Sequence, residues 1–237
     1  MGDLCPHDEM EKTVKSLEKV RQYLEEDNDR WDREALLHLR QYLEEAESVD
    51  VKELVSLYGK MRGLGVHGPS QQQLSRHLWG DVLEDLVSIV LQRAIDESDA
   101  PGFYRLGGTT VEGWRFDQVV WTVGEKPAPC CIVECKTIPY ASYFASALGK
   151  SLLTNLELRF TCSRPAFMLV AGEGIWRPSR RKLTHLLRVT AGSELSLDFR
   201  VFTVRNGTPN DDLAAFKCAV ARHLQAWQEN RDRRSVG

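Results

Sequence analysis

The segment Cys130-Cys-Ile-Val-Glu-Cys-Lys136 constrains this chain more than any other. It opens on four apolar residues, as a central strand covered on both faces would, and then carries two charges. Side chains alternate along a strand, so Ile132, Glu134 and Lys136 share one face while Val133 and Cys135 share the other. A carboxylate and an ammonium therefore project from a strand whose other members are apolar. Burying unpaired charge is costly, so the pair implies either a solvated edge or a function. Asp117 poses the same problem in the preceding apolar run Trp114–Trp121.

The surrounding pattern gives these two runs a setting. Apolar residues recur at three and four from position 10 to 62, with a polar break at Asp27-Asn28-Asp29. Val20-Arg-Gln-Tyr-Leu-Glu-Glu26 is nearly repeated as Leu39-Arg-Gln-Tyr-Leu-Glu-Glu45, which predicts a helical hairpin. A third helix over about 50–62 ends at Gly63 and Gly65. Ser70 with Gln73 forms a capping-box signature for a long helix over about 70–97. After Pro101-Gly102 the period falls to two, predicting strands at Phe103–Leu106, Trp114–Trp121 and Cys130–Thr137. A helix over Ser142–Phe160 follows, then strands at Ala166–Ala171 and Leu197–Val204 around a short helix near Arg180–Val189. A last helix covers Asp211–Asn230. This order predicts an α/β (α+β) fold, a central mixed sheet flanked by helices, behind an all-helical N-terminal region.

Charge divides at the same place. The 237 residues carry a formal net charge of -3, which argues against a protein that coats nucleic acid by charge alone. Residues 1–69 hold ten basic against sixteen acidic side chains, so the remainder is mildly basic. We therefore expect an acidic helical region at 1–69 and a second domain at 70–237. Six cysteines form no Cys-x-x-Cys pair and no Cys/His zinc spacing, as expected of reduced, buried thiols. The first residues include no apolar signal-type run and no apolar stretch is long enough to span a bilayer, so a cytoplasmic protein with no membrane partner is expected.

Two carboxylates and a lysine at the ends of adjacent strands suit one chemistry well. Hard cations such as Mg²⁺ take one or two carboxylates and keep positions for water and a phosphate oxygen. The cation then acidifies a bound water and stabilises phosphoryl charge, while an ammonium orients or helps deprotonate the nucleophile.

Asp117, sixteen residues, then Glu134-Cys135-Lys136 resembles the Asp…Glu-x-Lys signature of the PD-(D/E)XK nuclease superfamily, which includes most type II restriction endonucleases. The resemblance covers about 100 residues, with a core order of helix, three strands, helix, strand, and so implies a restriction-endonuclease-like core. Gly80-Asp-Val-Leu-Glu84 resembles the superfamily's acidic first-helix motif. The residue before Asp117 is Phe116 where the superfamily's name has Pro. By resemblance, Asp117 and Glu134 would ligate Mg²⁺, for which Mn²⁺ may substitute, with the Cys135 main-chain carbonyl as a further ligand. Lys136 would act on the attacking water. Glu84 would assist at the metal, with Asp81 and Asp85 as competitors for that role, or would simply stand at the boundary between core and solvent.

A nuclease needs phosphate contacts. Arg177, Arg180, Arg181 and Lys182 cluster with His185 and Arg188, either as such contacts or as the solvated start of a charged helix; Lys150, Arg159 and Arg164 are further candidates. The resemblance implies a Mg²⁺-dependent endodeoxyribonuclease acting on double-stranded DNA, of the type II restriction kind, working as a homodimer. The acidic helices would serve dimerisation, a lid or a partner contact. The alternatives are a structure-specific repair, recombination or antiphage nuclease of the same fold, or a non-catalytic interaction protein on a nuclease-like scaffold.

Overall fold

Eight residues, Pro129–Lys136, form the central strand of a five-stranded sheet, and seven of them are buried. The computed structural model describes residues 15–26, 31–66, 72–137, 141–158, 164–172, 197–204 and 212–235. Three helices come first: α1 (Lys15–Glu25), α2 (Arg33–Ala46) and α3 (Val51–Gly63). Asp32 and Asp50 cap the second and third, accepting from the backbone N–H groups of Ala35 and Lys52 at 3.0 Å. The long α4 (Gln72–Asp96) follows, then β1 (Tyr104–Leu106), β2 (Thr110–Val111), β3 (Trp114–Arg115), β4 (Gln118–Thr122) and β5 (Pro129–Lys136). The helix α5 (Ala141–Leu158) leads to β6 (Ala166–Ala171), and β7 (Phe199–Thr203) precedes α6 (Asp212–Ser235). The helix boundary at Ser70, the short helix near Arg180–Val189 and the break at Asp27–Asp29 lie outside the described residues.

The sheet order is β1-β4-β5-β6-β7. The first two pairings are antiparallel and the last two parallel, so the sheet is mixed, as expected. Helix α5 is the crossover between the parallel strands β5 and β6, which parallel pairing requires.

The two sheet faces bury different helices, and β5 supplies both. Cys131, Val133 and Cys135 pack with Met168 and Val170 beneath α4 and α6. Ile132 packs on the opposite face with Val119, Phe167 and the α5 residues Phe144 and Leu148. The first cluster continues without a break into the N-terminal helices through Val20, Leu39, Leu54 and Met61. The helical front thus rests on the outer side of α4 as part of one apolar core.

One predicted strand is corrected. Trp114–Trp121 is not continuous, because the chain bends at Phe116 and Asp117. Glu112 and Gly113 both take positive φ, 47° and 77°, giving a two-residue turn that pairs β2 with β3 as a separate hairpin. Phe116 N–H then donates to Thr109 O at 2.7 Å, and Asp117 N–H donates to Val133 O at 3.2 Å, where β4 begins. The period-two pattern runs through the bend and so does not reveal it.

Two polar contacts tie the helices together. Arg93 on α4 donates to the carbonyl oxygens of Val49, Glu47 and Ala46, closing the end of α2. Asp85 on α4 accepts from the backbone N–H of Ser16 at 2.6 Å and of Lys15 at 3.2 Å, and from the Ser16 hydroxyl at 2.5 Å. It caps α1 across 69 residues of sequence. Asp85→Ala should therefore cost about 2 kcal/mol, read as a lower urea midpoint with an unchanged slope.

Candidate metal and phosphodiester site

The C-terminal half of β5 and the start of β4 bring the predicted charges together. Asp117 stands in the bend before β4, and Cys135 N–H donates to its Oδ2 at 2.6 Å. Lys136 Nζ lies 3.5 Å from that same oxygen and 3.5 Å from Glu134 Oε1. The alternation of β5 is therefore as the sequence implied: Glu134 and Lys136 share the α5 face, with Asp117 beside them.

Glu134 is the most enclosed of these groups, with a side chain 10% exposed. Its Oε1 accepts from Lys150 Nζ at 2.5 Å. Its Oε2 is buried and has no hydrogen-bond partner among the described residues. Burial, and then the neighbouring Asp117 charge, push this carboxyl up despite Lys136 and Lys150. Burial works against the Lys136 ammonium, but Asp117 and Glu134 outweigh it, so the lysine is held more firmly protonated than usual.

Glu84 reaches the same region from α4. Its carboxyl is pushed up to about 7, by burial first and then by Asp117, with Lys15 opposing at 3.6 Å. Asp81 and Asp85, its two rivals, are occupied otherwise: Asp81 pairs with Lys19, and Asp85 caps α1. Of the three acids, Glu84 is the one whose charge is coupled most strongly to Asp117. Glu84, Asp81 and Asp117 line a cleft of about 400 Å³ together with Thr109, Phe116 and three cations, Lys15, Lys19 and Arg115.

Lys150 is placed differently from expectation. It was anticipated as a phosphate contact, but α5 aims it inward, where it bonds Glu134 and the Arg115 carbonyl at 2.5 Å each. Its ammonium also lies 4.4 Å from the centre of the Phe116 ring, a cation–π position. Arg177, Arg180, Arg181 and Lys182 lie outside the described residues. Lys15 and Lys19 were missed, because they belong to a region whose acidic total masked them. Their spacing of four, one face of a helix, was the available signal.

The donor set suits a hard cation. Among the described residues no three His, Cys, Asp or Glu side chains are gathered into a ready-made cage. The carboxylates instead interact as pairs, Glu84 with Asp117 and Asp117 with Glu134. Yet two features ask for positive charge: mutual repulsion among these acids, and a buried carboxylate oxygen with no donor. Glu134, Asp117 and Glu84 are the side chains that would hold such an ion.

Comparison of the chain with protein-family models, curated proteins and solved structures returns no match. The residues and their geometry therefore carry the functional argument.

Two outcomes follow for the metal-free protein. A carboxyl with a raised folded-state pKa carries no penalty below its unfolded value and the full penalty above its folded one. Glu84→Gln should hence stabilise by roughly 2 kcal/mol at pH 8 and leave pH 4.5 nearly unchanged, seen as a gain of a few degrees in Tm in EDTA. Lys150→Met removes the nearest donor to Glu134. It should destabilise by about 2 kcal/mol at pH 8, with a deficit that shrinks as the pH falls and the raised Glu134 carboxyl is protonated, by the same measurement.

Proposed function

We propose that this chain is a Mg²⁺-dependent endodeoxyribonuclease of the PD-(D/E)XK kind, hydrolysing phosphodiester bonds in double-stranded DNA. The observation that carries the reading is the convergence of Asp117, Glu134 and Lys136 at one end of β4 and β5, with Glu134 Oε2 buried and unpaired. The element order supports it. Setting aside the small β2–β3 hairpin, α4, β1, β4, β5, α5 and β6 follow the helix, three strands, helix, strand order of that superfamily.

A bound divalent cation supplies an acidified water and stabilisation of phosphoryl charge. The side chains have separate tasks around it. Glu134 offers Oε2, while Lys150 fixes the other oxygen and so sets the direction of the carboxylate. The Cys135 N–H fixes Asp117 in the same way. Lys136, held as an ammonium between two carboxylates, is suited to orient the nucleophilic water and to offset charge on the phosphate. Phe116 covers one side of Lys150 and keeps bulk water from the pair.

Within this reading a site-specific restriction enzyme acting as a homodimer, or a structure-directed repair, recombination or antiphage nuclease, would use the same groups. The two differ in their products. Digestion of a long sequenced DNA in Mg²⁺, followed by mapping of the ends, should give fixed ends for the first and scattered or junction-directed ends for the second. Asp117→Ala, Glu134→Ala and Lys136→Ala should each lower cleavage at least about a hundredfold while circular dichroism stays unchanged. Full cleavage by these variants would overturn the assignment of the three residues, and absence of cleavage by the parent chain in Mg²⁺ would leave a non-catalytic interaction protein on the same scaffold.

A further inference from the structure

Among the described residues, the side chains that the acidic helical region presents to the site are basic. Helix α1 lies along α4 with Ser16 and Val20 buried, and this fixes which of its side chains meet the cleft. Lys15 and Lys19, one turn apart, stand against Glu84 and Asp81. Glu18 points elsewhere, at 65% exposure, within reach of Arg21 on its own helix. The same three acidic residues of α4, Asp81, Glu84 and Asp85, are each met by a residue of α1: Lys19, Lys15 and Ser16.

Charge in the cleft can be counted. Asp81, Glu84 and Asp117 face Lys15, Lys19 and Arg115, so the lining is neutral when all six are ionised. A divalent cation held by Glu84 and Asp117 leaves a surplus of two positive charges. That suits an anion carrying one charge per nucleotide. The Lys15–Glu84 pair is loose, at 3.6 Å with the lysine side chain 45% exposed, so this ammonium can exchange its partner at little cost. Arg115 lines the same cleft from the β2–β3 hairpin, two residues before Asp117.

We propose that α1 forms one wall of the DNA-binding cleft, with Lys15 and Lys19 contacting the backbone phosphates next to the scissile one and Arg115 contacting them from the hairpin. This rests on the nuclease reading above. The structural alternative, in which both lysines only fasten α1 to α4, is countered by the anchoring already present. The Asp85 cap and the burial of Val20 hold that helix without them.

The test is fluorescence anisotropy of a labelled random-sequence 30-base-pair duplex with the full chain. Ca²⁺ replaces Mg²⁺, since it takes the same oxygen ligands. Each phosphate contact contributes about 0.9 to the slope of log K against log salt. The Lys15→Gln/Lys19→Gln double variant should bind about tenfold more weakly and lose roughly two units of that slope. Lys15→Arg/Lys19→Arg should bind as the parent does. Equal affinity and equal slope in the glutamine variant, with the parent binding normally, would overturn the assignment of α1 and leave the nuclease reading standing. A parent chain that fails to bind the duplex would remove both. If the double variant is unfolded by circular dichroism, Lys15→Gln alone decides, because its loose pair is dispensable: a slope loss of about one supports the inference and no loss overturns it.

Discussion

The structure depends on a strand that must be apolar and charged at once. Pro129–Lys136 is covered on both faces, by α4 and α6 on one side and α5 on the other, and it ends in Glu134 and Lys136. Charges there survive only if surrounding elements supply counter-charges and donors. Two neighbours do so: the bend before β4 brings Asp117 to Lys136, and α5 brings Lys150 to Glu134. The compensation is incomplete among the described residues, where Glu134 Oε2 has no donor. An incompletely compensated buried carboxylate is expensive, and its persistence in an otherwise well-packed core is what an ion-binding role would explain.

The same electrostatics order the groups around it. Lys136 sits between two carboxylates and is held charged, whereas Glu84, next to Asp117 and partly buried, is held close to neutral pH. Both groups are raised, with opposite effects on charge: the ammonium gains from its acidic neighbours, while the carboxyl loses from burial first and from Asp117 next. A divalent cation between the acids would remove the repulsion from Asp117, which adds to burial in raising Glu84.

The N-terminal helices change meaning in this light. Their net charge is acidic, yet their core is continuous with that of α4, and α1 turns lysines to the cleft. Net charge sums over faces that point in different directions, so it describes a helix poorly once one face is fixed by packing. Lys150 shows the converse. On the sequence it is a basic residue in an amphipathic helix, available to solvent, but the helix rotation set by Phe144, Ala147 and Leu148 directs it onto the sheet face to Glu134 on the central strand.

Much was determined by sequence alone. Period and breakers mark nearly every described helix and strand, because burial of one face imposes its spacing locally: Ala166–Ala171 coincides end to end, and Gln72–Asp96 and Ala141–Leu158 are helical where helices over 70–97 and 142–160 are expected. Alternation alone placed Glu134 and Lys136 on a common face. Tertiary structure decided what depends on contacts distant in the chain. These include the bend at Asp117, made by hydrogen bonds to Thr109 and Val133; the capping of α1 by Asp85, which separates that acid from Glu84; and the lysines of α1 facing the cleft. None leaves a periodic trace, since a hydrogen bond or ion pair across 70 residues requires only one suitable side chain at each end.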